Sequence, residues 1–319
     1  MSREAHVAEA VAMGAARIVV IGSMNTDLIA YVQRAPGPGE TVIGHRFQSG
    51  FGGKGANQAV MARLLGADVS FVGALGDDAY AQLTLENFAR IGIDASGVMR
   101  VAGSSGVAPI WVEGDGTNRI IVVPGANDRV TPEHAARAAL SHDRMAVAVG
   151  QFEIPQAVTA AGFAAARSRG AITILNPAPA APIAPELLAL TDWLIPNESE
   201  FRMLAGGNAD LTDHAIRALA SRVGTRLIVT VGAHGAALLQ ADGAVARLPA
   251  TRVTAVDTSG AGDAFVGAFA VGLALGWSET AAVALGLACA SDSVTRAGTQ
   301  ASFPDPAASA SIVAGIARP

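Results

Sequence analysis

Short apolar runs alternate with helical periodicity along most of this chain. Ile18, Val19, Val20 and Ile21 are consecutive apolar positions, which predicts a strand over 17–22 buried on both faces. Segments 27–32 and 41–49 read as strands around the turn Pro36-Gly37-Pro38-Gly39. Apolar spacing predicts helices over 54–65 and 77–91. Segments 107–112 and 119–123 flank Glu113-Gly114-Asp115-Gly116, a hairpin signal. Beyond Gly125 the pattern predicts helix 132–140, strand 145–149, helix 155–168, and strands 172–175 and 193–195. Helices 198–205 and 212–221 and strand 226–230 follow. A second hairpin, 236–240 with 244–248, closes around Ala241-Asp242-Gly243, before helices at about 261–275, 279–297 and 305–317.

This alternation implies an α/β fold: a doubly wound, mostly parallel sheet with helices on both faces. Two regions, about 27–50 and 106–124, interrupt it and read as a small separate sheet, a lid. Residues 17–319 then form one domain, with no internal repeat and no linker. The first 16 residues are alanine-rich, with Glu4 and Glu9 interrupting any apolar core. They read as a poorly ordered or short helical extension, not a signal peptide.

With 319 residues, 51 % of them apolar, the chain can bury an ample core and is globular. A net charge of −5 without a basic run argues against a nucleic-acid or membrane-surface partner. No apolar run reaches the ~18 residues of a membrane span. A single cysteine, Cys289, excludes an intrachain disulfide and fits a reducing cytoplasm. Its apolar surroundings favour a buried structural thiol over a nucleophile.

The chemistry concentrates in 257–265, Asp-Thr-Ser-Gly-Ala-Gly-Asp-Ala-Phe. An apolar lead-in runs through two glycines into a helical pattern from Ala264 to Leu275, a loop feeding a helix N-terminus. Unpaired N–H groups and the helix dipole suit an anion there, and Gly260 and Gly262 let a phosphate approach the backbone. Asp263 repels phosphate, so its presence has two readings. It is a general base for a hydroxyl attacking a phosphoryl group, or a first-turn acid favoured by the dipole. Lys54 breaks the tie. It is the only lysine among 22 basic residues, set in Phe51-Gly52-Gly53-Lys54-Gly55-Ala56-Asn57-Gln58-Ala59. A crowded pocket between glycines can need a compact point charge that forked arginine cannot supply.

Asn25 and Asp27, two apart after the first strand, share a face if extended and can hold a sugar diol; Asp27 also reads as a turn cap. Lys54 and Asn57 share a helix face and add donors. Glu153 follows the strand 145–149 and reads as a ligand contact or a surface loop acid. Asn25, Gly53, Glu153, Asn197, Gly232 and Asp263 all fall at predicted strand ends or helix starts, where open α/β sheets bind ligands. No Walker-type Gly-Lys-Ser/Thr loop is present, which excludes a P-loop enzyme.

These segments resemble the ribokinase-like carbohydrate kinase family from Arg17 to about Pro304. The resemblance is carried by Gly22-Ser23-Met24-Asn25-Thr26-Asp27, Pro38-Gly39-Glu40-Thr41-Val42, 52–59, Asn176-Pro177-Ala178-Pro179-Ala180, Pro196-Asn197-Glu198-Ser199-Glu200, Thr230-Val231-Gly232-Ala233-His234-Gly235 and 257–265, in family order. It implies ATP-dependent phosphorylation of D-ribose at the 5-hydroxyl. It gives Asp263 as base and the Gly260-Ala261-Gly262 amides as the anion hole. Asn25, Thr26, Asp27, Gly53, Lys54, Gly55, Ala56, Asn57 and Glu153 would hold the pentose. The nucleotide would lie over Thr230, Val231, Gly232, Ala233, His234, Gly235 and Gly262, with Asn197 and Glu200 organising Mg²⁺ and its waters. The resemblance also implies K⁺ held by the side chains of Asp257 and Ser302 and the carbonyls of Ser259, Ser293, Arg296 and Gly298. Leu287 departs from the pattern: relatives can place a polar or aromatic residue at the adenine edge. Phosphorylation of deoxyribose or a nucleoside stands as the alternative within the family, and non-catalytic sugar sensing as one outside it. A homodimer through the lid sheet is a further expectation.

Overall fold

The computed structural model describes residues 17–316 except Asp143 and Asn208, so the extension at 1–16 lies outside the described residues. The chain begins with β1 (Arg17–Ile21), β2 (Asn25–Tyr31), β3 (Arg46–Gly52), α1 (Lys54–Leu64), β4 (Asp68–Leu75), α2 (Ala79–Ile91), β5 (Asp94–Arg100), β6 (Gly106–Val112) and β7 (Asn118–Ile120). It continues through α3 (Pro132–Leu140), β8 (Met145–Gly150), α4 (Gln156–Ser168), β9 (Ile172–Leu175), α5 (Pro185–Leu188), β10 (Trp193–Leu194), α6 (Glu198–Leu204), α7 (Asp213–Val223) and β11 (Arg226–Thr230). The hairpin β12 (Ala236–Leu239) and β13 (Val245–Leu248) follows, then α8 (Ala261–Ala274), α9 (Glu279–Ser293) and α10 (Pro306–Gly315).

The main sheet runs β13-β12-β11-β10-β9-β8-β1-β4-β5. It is parallel from β11 to β5, and only the β11-β12 and β12-β13 pairs are antiparallel. The apolar run of β1 divides by alternation: Ile18 and Val20 enter one core, Val19 and Ile21 the other. The first core packs α1, α8 and α9 on one face of the sheet, and the second packs α3, α4 and α7 on the other. The expected doubly wound architecture is what forms.

The lid is a second sheet, β3-β2-β6-β7. β3 begins at Arg46, five residues later than the expected strand at 41, and runs on to Gly52. The pairing Asn25↔Gly52 and Asp27↔Gly50 explains this, because β3 must accompany β2 down to the functional residues. Glycine is needed there: a Cβ on Gly52 would lie 2.2 Å from an Asp27 carboxylate oxygen. β4, β5 and the short α5 are elements the periodicity did not mark. α9 stops at Ser293, short of the expected 297, because the Val294 carbonyl accepts the N–H groups of Val256 and Asp257 (2.7 and 3.3 Å).

Side-chain caps fix most helix starts: Asp78 for α2, Thr131 for α3, Thr212 for α7, Ser278 for α9 and Asp305 for α10. α1 and α8 begin instead at glycines with left-handed φ values, Gly53 (86°) and Gly260 (75°), and neither has a side-chain cap of its own.

Candidate active site

Three clefts meet at the carboxyl ends of the parallel strands, where helix starts converge. A cleft of about 800 Å³ is lined by Thr230, Gly232, Ala233, Gly235, Gly262, Leu287 and Asn197 among others. A small polar cleft of about 180 Å³ is lined by Lys54, Asn176, Asn197, Glu200, Gly260, Gly262 and Asp263. A third, of about 440 Å³, lies under the lid between Asp27, Tyr31, Arg46 and the segments 255–259 and 297–299. Gly262, Asn197 and Thr230 line both the large and the small cleft, so a chain of phosphates entering one can reach the other.

Asp263, in the first turn of α8, is 6 % exposed. Asn57 Nδ2 donates to its Oδ2 (2.8 Å) and Gln58 Nε2 to its Oδ1 (3.0 Å). Both donors come from α1, which packs against α8, so two helix starts build one carboxylate site. The site shares a cleft with Lys54. Burial works to lower the Lys54 pKa, but Asp263, Glu153 and Glu200 together hold it above its usual value. Lys54 is therefore a fixed cation facing three carboxylates. Gly260 turns the chain into α8; a Cβ there would meet Thr299 Cγ2 at 2.6 Å. The Ala261 N–H already donates to the Thr258 carbonyl (3.3 Å), and Gly262 has open space where a side chain would stand.

Asn25 and Asp27 do share a face of β2, as extended backbone requires, while Thr26 lies on the opposite face. Asp27 is 8 % exposed, and burial pushes its pKa up to about 7, reinforced by Glu153. The Thr299 hydroxyl donates to it at 3.5 Å and works the other way. The Asn25 side-chain carbonyl accepts from Asn127 Nδ2 (2.8 Å), and Asn127 also grips the Met24 backbone at both N–H and C=O. Asn127 is thus a buried support that no sequence motif marked.

Several of the expected contact residues also have packing or capping partners. Gly55 sits where a Cβ would strike the Gly22 and Ser23 backbone (2.7–2.8 Å), and Ala56 is core, its N–H donating to Ser23 O. Glu153 Oε2 accepts from the Ser23 hydroxyl (2.6 Å) and the Lys54 backbone N–H (2.9 Å), so it closes the start of α1. Asn25, Gly53 and Glu153 are not among the residues that line these three clefts. Val231 and His234 also stand outside the large cleft's walls.

Asn197 and Glu200 form a reciprocal capping box on α6: Asn197 Oδ1 accepts the Glu200 N–H (2.9 Å), and Glu200 Oε2 accepts the Asn197 N–H (2.8 Å). Asn197 Nδ2 holds the other Glu200 oxygen (2.9 Å). Burial raises the Glu200 pKa, against the Asn197 N–H and Lys54. Asp257 accepts N–H groups from Ser259 and Gly298 (2.9 Å each), tying the two segments that carry the expected cation carbonyls. The Ser293 carbonyl accepts the Arg296 N–H (3.2 Å), the Ser302 carbonyl accepts from the Arg296 guanidinium, and the Ser302 hydroxyl donates to Thr299 O (2.8 Å). Each of these oxygens keeps further acceptor capacity, and all are hard donors, which suits a cation of K⁺ type. No cluster of three or more His, Cys, Asp or Glu side chains able to hold a metal occurs among the described residues.

Fold and site together define a carbohydrate kinase, a phosphotransferase with a sugar hydroxyl as acceptor. The chain belongs to the pfkB family of carbohydrate kinases, whose model matches residues 15–306. It is 39 % identical over 292 residues to the deoxyribokinase of Salmonella typhi, covering 90 % of this chain and 95 % of that protein. It is 39 % identical over 288 residues to the ribokinase of Bacillus subtilis, covering 90 % and 96 %. The structure of Arabidopsis thaliana ribokinase complexed with ribose and ATP superposes with a TM-score of 0.85 at 30 % identity, over 94 % of this chain and 99 % of that one. No helix among the described residues is long and apolar enough to cross a membrane.

Proposed function

We propose that the protein transfers the γ-phosphoryl group of ATP to the 5-hydroxyl of D-ribose. The observation that carries this is the position of Asp263, on the wall between an uncapped helix start and the polar cleft that also presents Lys54. Asp263 takes the proton of the 5-hydroxyl as its oxygen attacks the γ-phosphorus; the bond to the β-phosphate oxygen breaks and ADP leaves. The N–H groups at Gly260–Gly262 and the Lys54 charge stabilise the transferring group. Asp27, supported by Asn25, holds the sugar hydroxyls beneath the lid. The adenine lies against Leu287 and its apolar neighbours in the large cleft.

When bound, Mg²⁺ would neutralise phosphate charge, and Glu200, with both oxygens already accepting from Asn197, would organise its waters. A monovalent cation of K⁺ type would be held by Asp257, Ser302 and the carbonyls of Ser259, Ser293, Arg296 and Gly298. A homodimer through the lid sheet is supported by the exposure of Phe47 (66 %), on the face turned away from the cleft. A cytoplasmic setting is supported by the single buried cysteine.

Deoxyribose is the second reading, since a deoxyribokinase matches as well as a ribokinase does. ADP release across D-ribose, 2-deoxy-D-ribose and nucleosides, with and without K⁺, tests the proposal. The highest kcat/KM for ribose supports it; a higher value for 2-deoxyribose or a nucleoside replaces it.

A further inference from the structure

Asp263 is the end point of two chains of carboxamides. On one side, Gln58 Nε2 donates to Asp263 Oδ1 (3.0 Å), and Gln151 Nε2 donates to Gln58 Oε1 (2.6 Å). On the other, Asn57 Nδ2 donates to Asp263 Oδ2 (2.8 Å), Gln300 Nε2 to Asn57 Oδ1 (3.1 Å), and Asn87 Nδ2 to Gln300 Oε1 (3.3 Å). The Arg90 guanidinium, on the exposed face of α2, donates to Asn87 Oδ1 (2.6 Å).

The direction of every link is forced. An ionised carboxylate only accepts, so Asn57 and Gln58 must turn their NH₂ groups to Asp263. Asn57 Oδ1 then needs a donor, which fixes Gln300, whose own oxygen fixes Asn87, whose oxygen meets an arginine that can only donate. Gln58 also donates to Asn176 Oδ1 (3.2 Å), and Asn176 is oriented by giving its NH₂ to the Ile195 carbonyl (2.9 Å). Gln151 is left with a buried, unpartnered Oε1. Such a group costs about 1–3 kcal/mol. It is tolerated because reversing Gln151 would set two amide oxygens against each other at Gln58.

We propose that Gln300, with Asn87 behind it, is a positioning residue for phosphoryl transfer: it locks the Asn57 amide so that its NH₂ faces Asp263 and keeps that carboxylate aimed. The donors polarise one another toward the carboxylate. Removing the outer donor frees Asn57 to rotate and weakens its hydrogen bond to Asp263. Gln300 lies in the same turn as Thr299, which touches Asp27, and next but one to Gly298, which Asp257 holds. One turn therefore contacts both the sugar carboxylate and the support of the base. The proposal rests on Asp263 acting as the base.

The test compares Gln300→Leu, Gln300→Glu and Asn87→Leu with the parent enzyme in kcat, KM and Tm. Gln300→Glu keeps size and shape and still accepts from Asn87, but it cannot donate to Asn57. Both Gln300 variants are expected to lose about three- to tenfold in kcat. KM and Tm should stay near the parent values, and Asn87→Leu should move the same way by less. A purely packing role predicts that Gln300→Glu retains the parent kcat, and that result overturns the proposal. Asp263→Asn in the same assay separates the two levels. If it stays within about tenfold of the parent, the base assignment falls and the positioning role with it. If it is inactive while Gln300→Glu is unchanged, the positioning role falls alone.

Discussion

α1 and α8 begin in nearly the same way and end up doing opposite things. Each starts at a glycine of positive φ with no side-chain cap of its own, and the two pack side by side. At α1 a carboxylate from another element, Glu153, accepts the Lys54 N–H and closes the helix start. At α8 no acid plays that part: the Ala261 N–H turns back to Thr258, and the space beside Gly262 is open. Four first-turn N–H groups must find partners in any helix. Glu153 and Ser23 satisfy one start, and on the proposed function the other receives a phosphate. The closed start carries the fixed groups, Lys54, Asn57 and Gln58, and the open start carries Asp263, which those amides hold.

Breaking the open start has the largest expected effect. Asp263→Asn should leave sugar and ATP affinity near the parent values and lower kcat by about two to four decades, measured as ADP release. Retention of kcat within about tenfold would remove Asp263 as the base.

Asp27→Asn comes next. It should raise the sugar KM by about tenfold or more and the ATP KM much less, because a ground-state sugar contact is lost. Equal changes in both constants would point to a general distortion instead.

Opening the closed start should matter less to chemistry and more to stability. Glu153→Ala leaves the Lys54 N–H and the Ser23 hydroxyl without their acceptor. The expected cost is ~1 kcal/mol or somewhat more, read as a lower Tm in calorimetry, with a few-fold rise in sugar KM. An unchanged Tm would contradict the capping role.

The smallest effect is a pH dependence. The Asp27 pKa is about 7 in the folded protein against 3.8 as its ordinary value. Between those values the folded state binds more protons than the unfolded one, so the ligand-free protein loses stability as pH rises from about 4 to about 7. Asp27→Asn should remove that loss and raise Tm by a few degrees at pH 8, but not at pH 4. Equal shifts at both pH values would mean that burial of the charge is not the cause.

The comparison also explains what was legible in the sequence. The helix starts at Gly53 and Gly260 were visible because glycine before an apolar helical pattern is a local signal, and Asp263 and Lys54 lie within it. β9 and β11 formed over the expected residues because short apolar runs between helices leave few other readings. β5 was not legible: Asp94, Ser96 and Gly97 break any alternation, and its place comes from pairing with β4. Glu153 was read as a sugar contact or a surface loop acid, and its bond to the Lys54 N–H was not legible, because sequence shows a residue type near a strand end, not the direction of its carboxylate. Gln151, Asn127 and Gln300 were missed for a related reason. Their partners lie from 93 to 243 positions away, so no spacing announces them.

On the proposed function one helix start receives the transferring phosphoryl group and its neighbour does not. Amide hydrogen exchange can test it in enzyme already saturated with D-ribose and MgADP, before and after adding aluminium fluoride to mimic that group. The account predicts new protection at the amides of 260–263, with those of 54–56 unchanged because α1 is already closed. Protection at 54–56 in place of 260–263, or none at 260–263, would contradict it.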